Sequence, residues 1–222
     1  MEIIAKIQTD FPTKFGIPRQ SGLVSNVSCI TFVHPYDDPA ALRGIEEFTH
    51  LWLLWDFSES HRETFSPTVR PPRLGGNTRV GVFATRSPFR PNSIGLSCVK
   101  LLGTETKGKD GPKLYVQGAD LMDGTPIYDI KPYLPYADCI PEAKTGILGE
   151  TPDKTEEVLF ENIGPAEVQA GELEVIQEIL SRNPPPAYQG DQERIYGMKY
   201  GRFEVKFRRV KEKIYVQSIE SL

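Results

Sequence analysis

A cluster of arginines without any acidic residue is the clearest chemical signal in the sequence. Residues 66–92 read SPTVRPPRLGGNTRVGVFATRSPFRPN and include five arginines and five prolines. Acidic residues are absent from Thr64 to Thr104, although the formal net charge of the chain is −4. Guanidinium groups bind phosphate and carboxylate oxygens through paired hydrogen bonds, and the prolines favour a rigid, irregular loop. The segment therefore predicts an anion-binding loop; for each single arginine, pairing with an acid elsewhere in the fold or a dimer contact is the alternative.

The sequence lacks the motifs of common nucleotide-binding and hydrolytic sites. It contains no phosphate-binding loop ending in Gly-Lys-Ser/Thr, and no G-x-G-x-x-G follows a strand. It contains no G-x-S-x-G and no H-E-x-x-H. Any nucleotide-like cofactor must therefore be bound in a less familiar way.

Composition and cysteine use favour a cytoplasmic protein without a metal. The chain has three histidines and three cysteines, and none of them shows metal-ligand spacing. An odd number of widely spaced cysteines indicates free thiols in a reducing compartment. The sequence starts MEIIAKIQTD, which does not resemble a signal peptide, and no apolar run is long enough to span a membrane.

The first 130 residues are dominated by short apolar runs typical of β-strands. Seven strands are predicted, at residues 3–8, 27–33, 48–57, 80–84, 94–102, 113–118 and 125–130. The third (FTHLWLLWDF) is dense enough to suggest burial on both faces, and a short helix is expected after Asp37. Many strands and few helices predict a mainly β fold, either a sandwich or a barrel.

The composition changes after about residue 140, which suggests a smaller α+β subdomain over residues 141–222. Residues 142–178 contain ten acidic residues and two lysines. A helix is predicted to begin at Pro165, with Val168, Val175 and Ile176 mostly on one face together with Ile179 and Leu180. Residues 202–210 and 214–219 predict a basic β-hairpin.

Several ordered motifs resemble the TsaA-like/TrmO family of tRNA methyltransferases, which use S-adenosylmethionine. These motifs are KFGIPRQ at 14–20, RGIE at 43–46, HLW at 50–52, PTVRPPRLGG at 67–76, GVFATRSPFRPN at 81–92, DLMDGTP at 120–126 and DIKPYLP at 129–135. The resemblance is dense over residues 1–140. It is also found in the PPPAY segment at 184–188 and the closing hairpin.

The resemblance implies a single-sheet β-barrel that binds S-adenosylmethionine without a Rossmann domain, in a homodimer. It implies transfer of a methyl group to the N6 nitrogen of threonylcarbamoyladenosine next to the anticodon of tRNA. The predicted anionic partner would then be an anticodon stem-loop. Two alternatives stay open: a non-catalytic module that binds the cofactor or RNA, and a methyltransferase of this fold acting on another anionic substrate.

The family's cofactor contacts can be carried over residue by residue. They fall on Pro18, Arg19, Gln20, Ser58, Glu59, Arg86, Leu96, Asp120, Leu121, Met122 and Asp123. Ser58-Glu59 stands where many members have His-Gln, so a contact there would use Glu59 or the backbone. Ordinary turn chemistry is the alternative for Asp120 and Asp123.

Candidate residues for the chemistry and for the RNA contacts follow from the reaction that the resemblance implies. Asp129 is the predicted base, with Lys131 and Tyr133 orienting the substrate, although a structural aspartate at a strand end is an equal alternative. The predicted RNA contacts are the loop residues Arg70, Arg73 and Arg90 and the hairpin residues Lys206 and Arg208.

Overall fold

A closed six-stranded antiparallel barrel forms the larger part of the fold. The computed structural model describes residues 1–71, 77–108, 111–148, 155–161, 168–182 and 194–222. The barrel strands are β1 (Ala5–Gln8), β2 (Val27–Phe32), β3 (His50–Asp56), β6 (Ile94–Glu105), β7 (Lys113–Gln117) and β8 (Pro126–Pro132). They follow the order β1-β2-β7-β6-β3-β8, and β8 pairs with β1 to close the sheet. The predicted mainly β fold and single-sheet barrel are confirmed.

Side chains that alternate across the barrel wall form its core. In β3, Leu51, Leu53 and Trp55 are buried, whereas Trp52 and Leu54 between them are only half-buried. The prediction that this run is buried on both faces was therefore wrong. The run appears dense because its outward-facing positions are also apolar, a feature that periodicity alone cannot separate from double burial.

A short two-stranded ladder and a 3₁₀ helix replace the predicted strand at 80–84. The strands β4 (Thr68–Val69) and β5 (Val80–Gly81) pair antiparallel, and a 3₁₀ helix follows at Val82–Ala84. The helix expected after Asp37 is also a 3₁₀ helix, Pro39–Leu42, whose first turn is capped by Asp38 accepting from the Ala40 N–H at 2.8 Å. Both elements lie between barrel strands.

A second sheet with one helix forms the C-terminal part. It contains β9 (Glu157–Phe160), β10 (Ile195–Tyr200), β11 (Phe203–Val210) and β12 (Lys213–Ser221) in the order β10-β11-β12-β9. The predicted hairpin is β11–β12; its two turn residues, Lys211 and Glu212, have φ of 47° and 63°, as a tight hairpin turn requires. The strands β9 and β10 were not predicted.

Two α-helices lie in the described ranges, α1 (Pro135–Asp138) and α2 (Ala170–Arg182). Three predicted core positions of α2 are buried, namely Ile176, Ile179 and Leu180. The predicted helix start at Pro165 and the segment 184–188 lie outside the described residues. No helix in the described ranges is long and apolar enough to cross a membrane.

The two sheets have separate cores, but the N-terminal segment contributes to both. Phe11 and Val24 belong to the core of the C-terminal sheet, although they flank the barrel strands in sequence. The Gly201 N–H donates to the Asp10 carbonyl at 2.7 Å, and the Ser25 N–H donates to the Glu178 carboxylate at 2.6 Å. The division at residue 140 stays a prediction, because the second core includes residues from the start of the chain.

Gly95 allows β6 to approach the indole of Trp55 closely. A Cβ atom at Gly95 would lie 2.2 Å from the Trp55 ring. We expect Gly95→Ala to destabilise the fold by about 1–3 kcal/mol, because overpacking displaces a buried ring. Chemical denaturation followed by tryptophan fluorescence measures this change, since Trp52 and Trp55 are the two tryptophans of the chain.

The matched control is Gly103→Ala in the same strand, where an added Cβ meets nothing within 4 Å. We expect a much smaller change there. Equal destabilisation by the two variants would contradict the role of the Trp55 contact.

Candidate active site

A cavity of about 510 Å³ opens where β3 ends and β6 begins. Segments distant in sequence line it, and its lining residues are Lys14, Ile17–Gln20, Trp55–Ser60, Thr85, Arg86, Pro88, Arg90, Ile94–Leu96, Asp120, Met122 and Thr125. The volume is typical of a pocket for a small organic molecule. The barrel register therefore positions one wall, and three loops supply the others.

A hydrogen-bonded chain holds the Asp120 carboxylate in the cavity wall. The Trp55 indole N–H donates to Ser97 Oγ at 2.9 Å, and the Ser97 hydroxyl donates to Asp120 Oδ1 at 2.5 Å. Burial raises the pKa of Asp120 to about 6, although the Ser97 hydrogen bond and the nearby charge of Arg86 favour the ionised form. Asp120 is thus a half-buried acid whose charge is costly without a cationic or hydroxyl-bearing ligand.

Cationic side chains also line the cavity. The Arg86 guanidinium donates to Gln20 Oε1, which ties the 81–92 loop to the Pro18–Gln20 segment. Lys14 Nζ donates to the Glu59 carbonyl at 2.5 Å. Arg86, Arg19 and Lys14 are all exposed, so their charges can face a ligand.

Asp56 and His61 form a pair that the sequence analysis missed. Asp56 is 8% exposed and lines the cavity, and its Oδ1 lies 2.7 Å from His61 Nε2. Burial and the Asp56 carboxylate raise the pKa of the neighbouring Tyr128 hydroxyl. The only sequence signal was a charged residue closing the apolar run of β3. In the described ranges, no three His, Cys, Asp or Glu side chains come together as metal ligands.

Nine of the eleven predicted cofactor residues line this one cavity. They are Pro18, Arg19, Gln20, Ser58, Glu59, Arg86, Leu96, Asp120 and Met122. The other two do not line it: the Leu121 side chain is fully buried in the barrel core, and Asp123 Oδ1 accepts from the Thr9 N–H at 3.0 Å. The observed contact of Asp123 is a long-range one to the residue after β1, and not the local turn hydrogen bond given as the alternative. Leu121 could offer only its backbone.

The predicted chemical residues lie on the outer barrel face beside the cavity and not in its lining. Leu96, Leu54 and Asp129 are register partners across β6, β3 and β8, so Asp129 is two strands, or about 10 Å, from Leu96. Lys131 Nζ lies 2.8 Å from Asp129 Oδ2. The Tyr133 ring packs against His50 and Trp52, at centroid distances of 6.3 and 5.7 Å.

The arginines of the 66–92 segment have different environments. Arg90 Nη1 donates to the carbonyls of Val82 at 3.2 Å and Thr85 at 2.7 Å, so this side chain braces the loop and also lines the cavity. Arg70 is exposed, directly after β4. Arg73 lies outside the described residues. The arginines were thus predicted as one group, but Arg86 faces the cavity and Arg90 holds the loop.

The hairpin cations predicted to contact RNA have protein partners. Lys206 Nζ lies 3.0 Å from Glu220, and Arg208 Nη2 donates to Glu161 at 2.8 Å. Arg209 and Lys213 likewise pair with Glu156 and Glu157. The basic appearance of the hairpin in sequence therefore reflects cross-strand ion pairing, because its acidic partners come from distant segments and from β12.

The described residues combine a closed barrel with a cavity that offers both cationic and anionic side chains. The chain matches the tRNA-methyltransferase O N-terminal domain over residues 6–139 and the TrmO C-terminal domain over residues 158–222. It is 40% identical over 220 residues to a tRNA (adenine(37)-N6)-methyltransferase of Escherichia coli, covering 93% of this chain and 92% of that protein. It is also 40% identical to a putative S-adenosylmethionine-dependent methyltransferase of Pseudomonas aeruginosa, covering 89% and 85% of the two chains.

A crystal structure of TrmO from Pseudomonas aeruginosa superposes with a TM-score of 0.80 at 30% identity, covering 99% of this chain and 97% of that one. The chain belongs to the tRNA-methyltransferase O family, which confirms the resemblance inferred from its motifs.

Replacement of Asp120 tests the cost of its buried charge. The pKa of this carboxyl is raised from its ordinary value of 3.8 to about 6 in the fold. Between these two pH values the native state therefore binds more protons than the unfolded state. Wild-type stability therefore falls relative to Asp120→Asn as pH rises from 4 to 6.5, by about 2 kcal/mol. Urea denaturation of both proteins across this range measures the difference; a difference independent of pH would contradict the assignment.

Proposed function

We propose that this protein transfers a methyl group from S-adenosylmethionine to the N6 nitrogen of adenosine 37 in tRNA, where that adenosine carries a threonylcarbamoyl group. The observation that carries the proposal is the convergence of Pro18–Gln20, Ser58-Glu59, Arg86 and Asp120 on one cavity. Relatives matching nearly the full length of the chain are named for methylation at this position.

The chemistry of the cavity fits S-adenosylmethionine. Arg86 and Arg19 suit its carboxylate, while Asp120 and Asp56 suit its ammonium group, its ribose hydroxyls and its positive sulfur. Ile94, Leu96 and Met122 offer apolar contacts to the adenine ring. When bound, the cofactor supplies an electrophilic methyl group. The protein supplies orientation and a site in which that group is aligned with the attacking nitrogen.

Attack by the N6 nitrogen is slow without help, because its lone pair is delocalised into the purine and the adjoining carbonyl. A nearby base that takes the N6 proton would increase its nucleophilicity. Asp129 is the proposed base, with Lys131 and Tyr133 orienting the threonyl carboxylate or the nucleobase. Asp129 lies beside the cavity on the outer barrel face, and Lys131 lies 2.8 Å from it.

The Asp56–His61 pair is a second candidate base. Asp56 lines the cavity directly, and its carboxylate holds His61 Nε2 at 2.7 Å. This hydrogen bond orients the imidazole and favours the tautomer whose Nδ1 carries a lone pair. A histidine so held can accept a proton from a substrate at the rim of the cavity.

We propose further that the protein is a cytoplasmic homodimer. The outer face of β3 carries apolar side chains, including the half-buried Trp52 and Leu54. Such a face is suited to contact a second copy. The three cysteines, Cys29, Cys98 and Cys139, are free thiols, as is usual in a reducing compartment. Sedimentation over a range of concentrations tests the dimer.

A methyl-transfer assay tests the reaction. Radiolabelled S-adenosylmethionine is incubated with two tRNA preparations, one with and one without the threonylcarbamoyl group. We expect transfer only to the modified tRNA, with the label in the nucleoside at position 37. Cofactor binding without transfer to either tRNA would favour a non-catalytic binding module, and equal transfer to both would contradict the stated substrate.

The same assay compares Asp129→Asn with His61→Gln at saturating cofactor. Loss of turnover in Asp129→Asn alone supports Asp129 as the base. Loss in His61→Gln alone assigns that role to the Asp56–His61 pair, and normal turnover in both variants means that the reaction uses neither.

Substitution of Arg86 separates the cofactor site from the rest of the arginine loop. We expect Arg86→Ala to weaken S-adenosylmethionine binding about tenfold or more, because it removes a charge-assisted hydrogen bond. Calorimetric titration measures the affinity. The control is Arg79→Ala, whose guanidinium donates to Thr68 Oγ1 at 3.0 Å and which does not line the cavity. Equal weakening by the two substitutions would indicate a general effect of charge.

A further inference from the structure

Two exposed phenylalanine rings lie together in the segment that borders the cofactor cavity. The rings of Phe65 and Phe83 are stacked, with centroids 6.3 Å apart and an interplanar angle of 25°. Their residues are 55% and 72% exposed, so both present ring surface to solvent. We call this pair the aromatic platform.

Local structure holds the platform in place. The β4–β5 ladder continues through a hydrogen bond from the Val82 N–H to the Pro67 carbonyl at 3.0 Å, which brings the residues around 65 and 83 side by side. The Arg90 guanidinium bridges the carbonyls of Val82 and Thr85 beneath Phe83. The rings are therefore displayed by a braced loop, and little ordering cost would remain for a ligand.

Guanidinium groups lie beside the platform and beside the neighbouring ring of Phe89. The Arg90 guanidinium carbon lies 5.7 Å from the centroid of the Phe83 ring, and that of Arg62 lies 3.5 Å from the centroid of Phe89. A recess of about 140 Å³ separates these groups and is lined by Arg62–Ser66 and Phe89–Pro91. Arg90 lines this recess and the cofactor cavity alike, so the two are adjacent.

We propose that the aromatic platform binds, by stacking, an unpaired nucleobase that flanks the methylated adenosine. This inference rests on the proposed function and assigns the part of the RNA that this surface contacts. Exposed aromatic rings beside cationic side chains are the usual means of binding single-stranded nucleic acid, since bases stack and phosphates pair with the cations.

The charge around the platform favours RNA over an apolar protein partner. Glu63 lines the recess, but no acidic residue occurs between Thr64 and Thr104, and Arg70, Arg79 and Arg86 are all exposed within this stretch. RNA is a polyanion with planar bases, so it complements both the positive charge and the exposed rings of this surface. A second copy of the chain is the competing occupant of this surface, and sedimentation of Phe83→Leu distinguishes it from RNA.

Substitution of Phe83 tests stacking directly. We expect Phe83→Leu to weaken binding of a modified anticodon stem-loop about tenfold, and Phe83→Trp to restore it, because leucine keeps apolar bulk but lacks a stacking face. Affinity is measured by fluorescence anisotropy at several salt concentrations. The loss should be the same at each one, whereas Arg70→Ala should reduce the salt dependence. Ile195→Ala, which trims an exposed apolar residue of β10, is the control.

Photo-crosslinking locates the base. Two stem-loops carry 5-iodouridine, one immediately 5′ and one immediately 3′ of the target adenosine. We expect one of them to crosslink to Phe65 or Phe83, as identified by mass spectrometry of the peptide, and expect Phe83→Leu to reduce the yield.

The outcomes separate this inference from the proposed function. Normal RNA affinity and crosslinking in Phe83→Leu would overturn the platform while leaving methyl transfer by the wild-type protein unaffected. Phe83-dependent binding without methyl transfer by the wild type would support the platform and overturn the proposed reaction. A change of sedimentation in Phe83→Leu with unchanged RNA affinity would overturn the inference and assign the surface to contact between copies.

Discussion

The site depends on one constraint, the placement of the Asp120 carboxylate where burial removes it from water. Desolvation of Asp120 is unfavourable, and its pKa near 6 reflects that cost. Ser97 and Trp55 compensate in part, but they reach Asp120 only because β3 and β6 pair in a register that sets Trp55 opposite Gly95. Three features therefore depend on one another: the open end of the barrel, the absence of a side chain at position 95, and the position of the 119–125 loop. A ligand carrying positive charge or hydroxyl groups would offset the cost of burying the Asp120 charge.

The arginines of this chain have different roles because their neighbouring groups differ. Arg90 donates to two backbone carbonyls and stabilises the loop, whereas Arg86 donates to Gln20 and faces the cavity. In the C-terminal hairpin, Arg208 and Lys206 meet glutamates instead. Clustered positive charge thus has three roles in this chain: it stabilises a loop, it faces the cavity, and it forms ion pairs in the hairpin. Only the side chains that retain an outward-facing charge can contribute to long-range attraction of an RNA.

Much of the barrel could be predicted from sequence, because its strands alternate and are separated by Gly and Pro. The strands β9 and β10 could not, since β9 has four residues and is stabilised by parallel pairing with β12 from far along the chain. The motifs identified most of the cavity lining, because each motif supplies a turn that the fold brings there. Asp56 and His61 were missed, as their pairing depends on a loop conformation that no spacing rule encodes. The ion pairs of Lys206 and Arg208 could not be predicted, because no spacing rule identifies Glu220 and Glu161 as their partners; the assignment of both cations to RNA stays a prediction.

The contribution of Phe11 and Val24 to the core of the C-terminal sheet has a consequence for biosynthesis. Their packing partners include Met198, Tyr200 and Phe203, which are synthesised more than 170 residues later. The early segment therefore remains exposed until these distant residues have been synthesised, even though β1 and β2 on either side of it can pair much sooner. The interval before this second core forms is when the nascent protein presents apolar surface to chaperones.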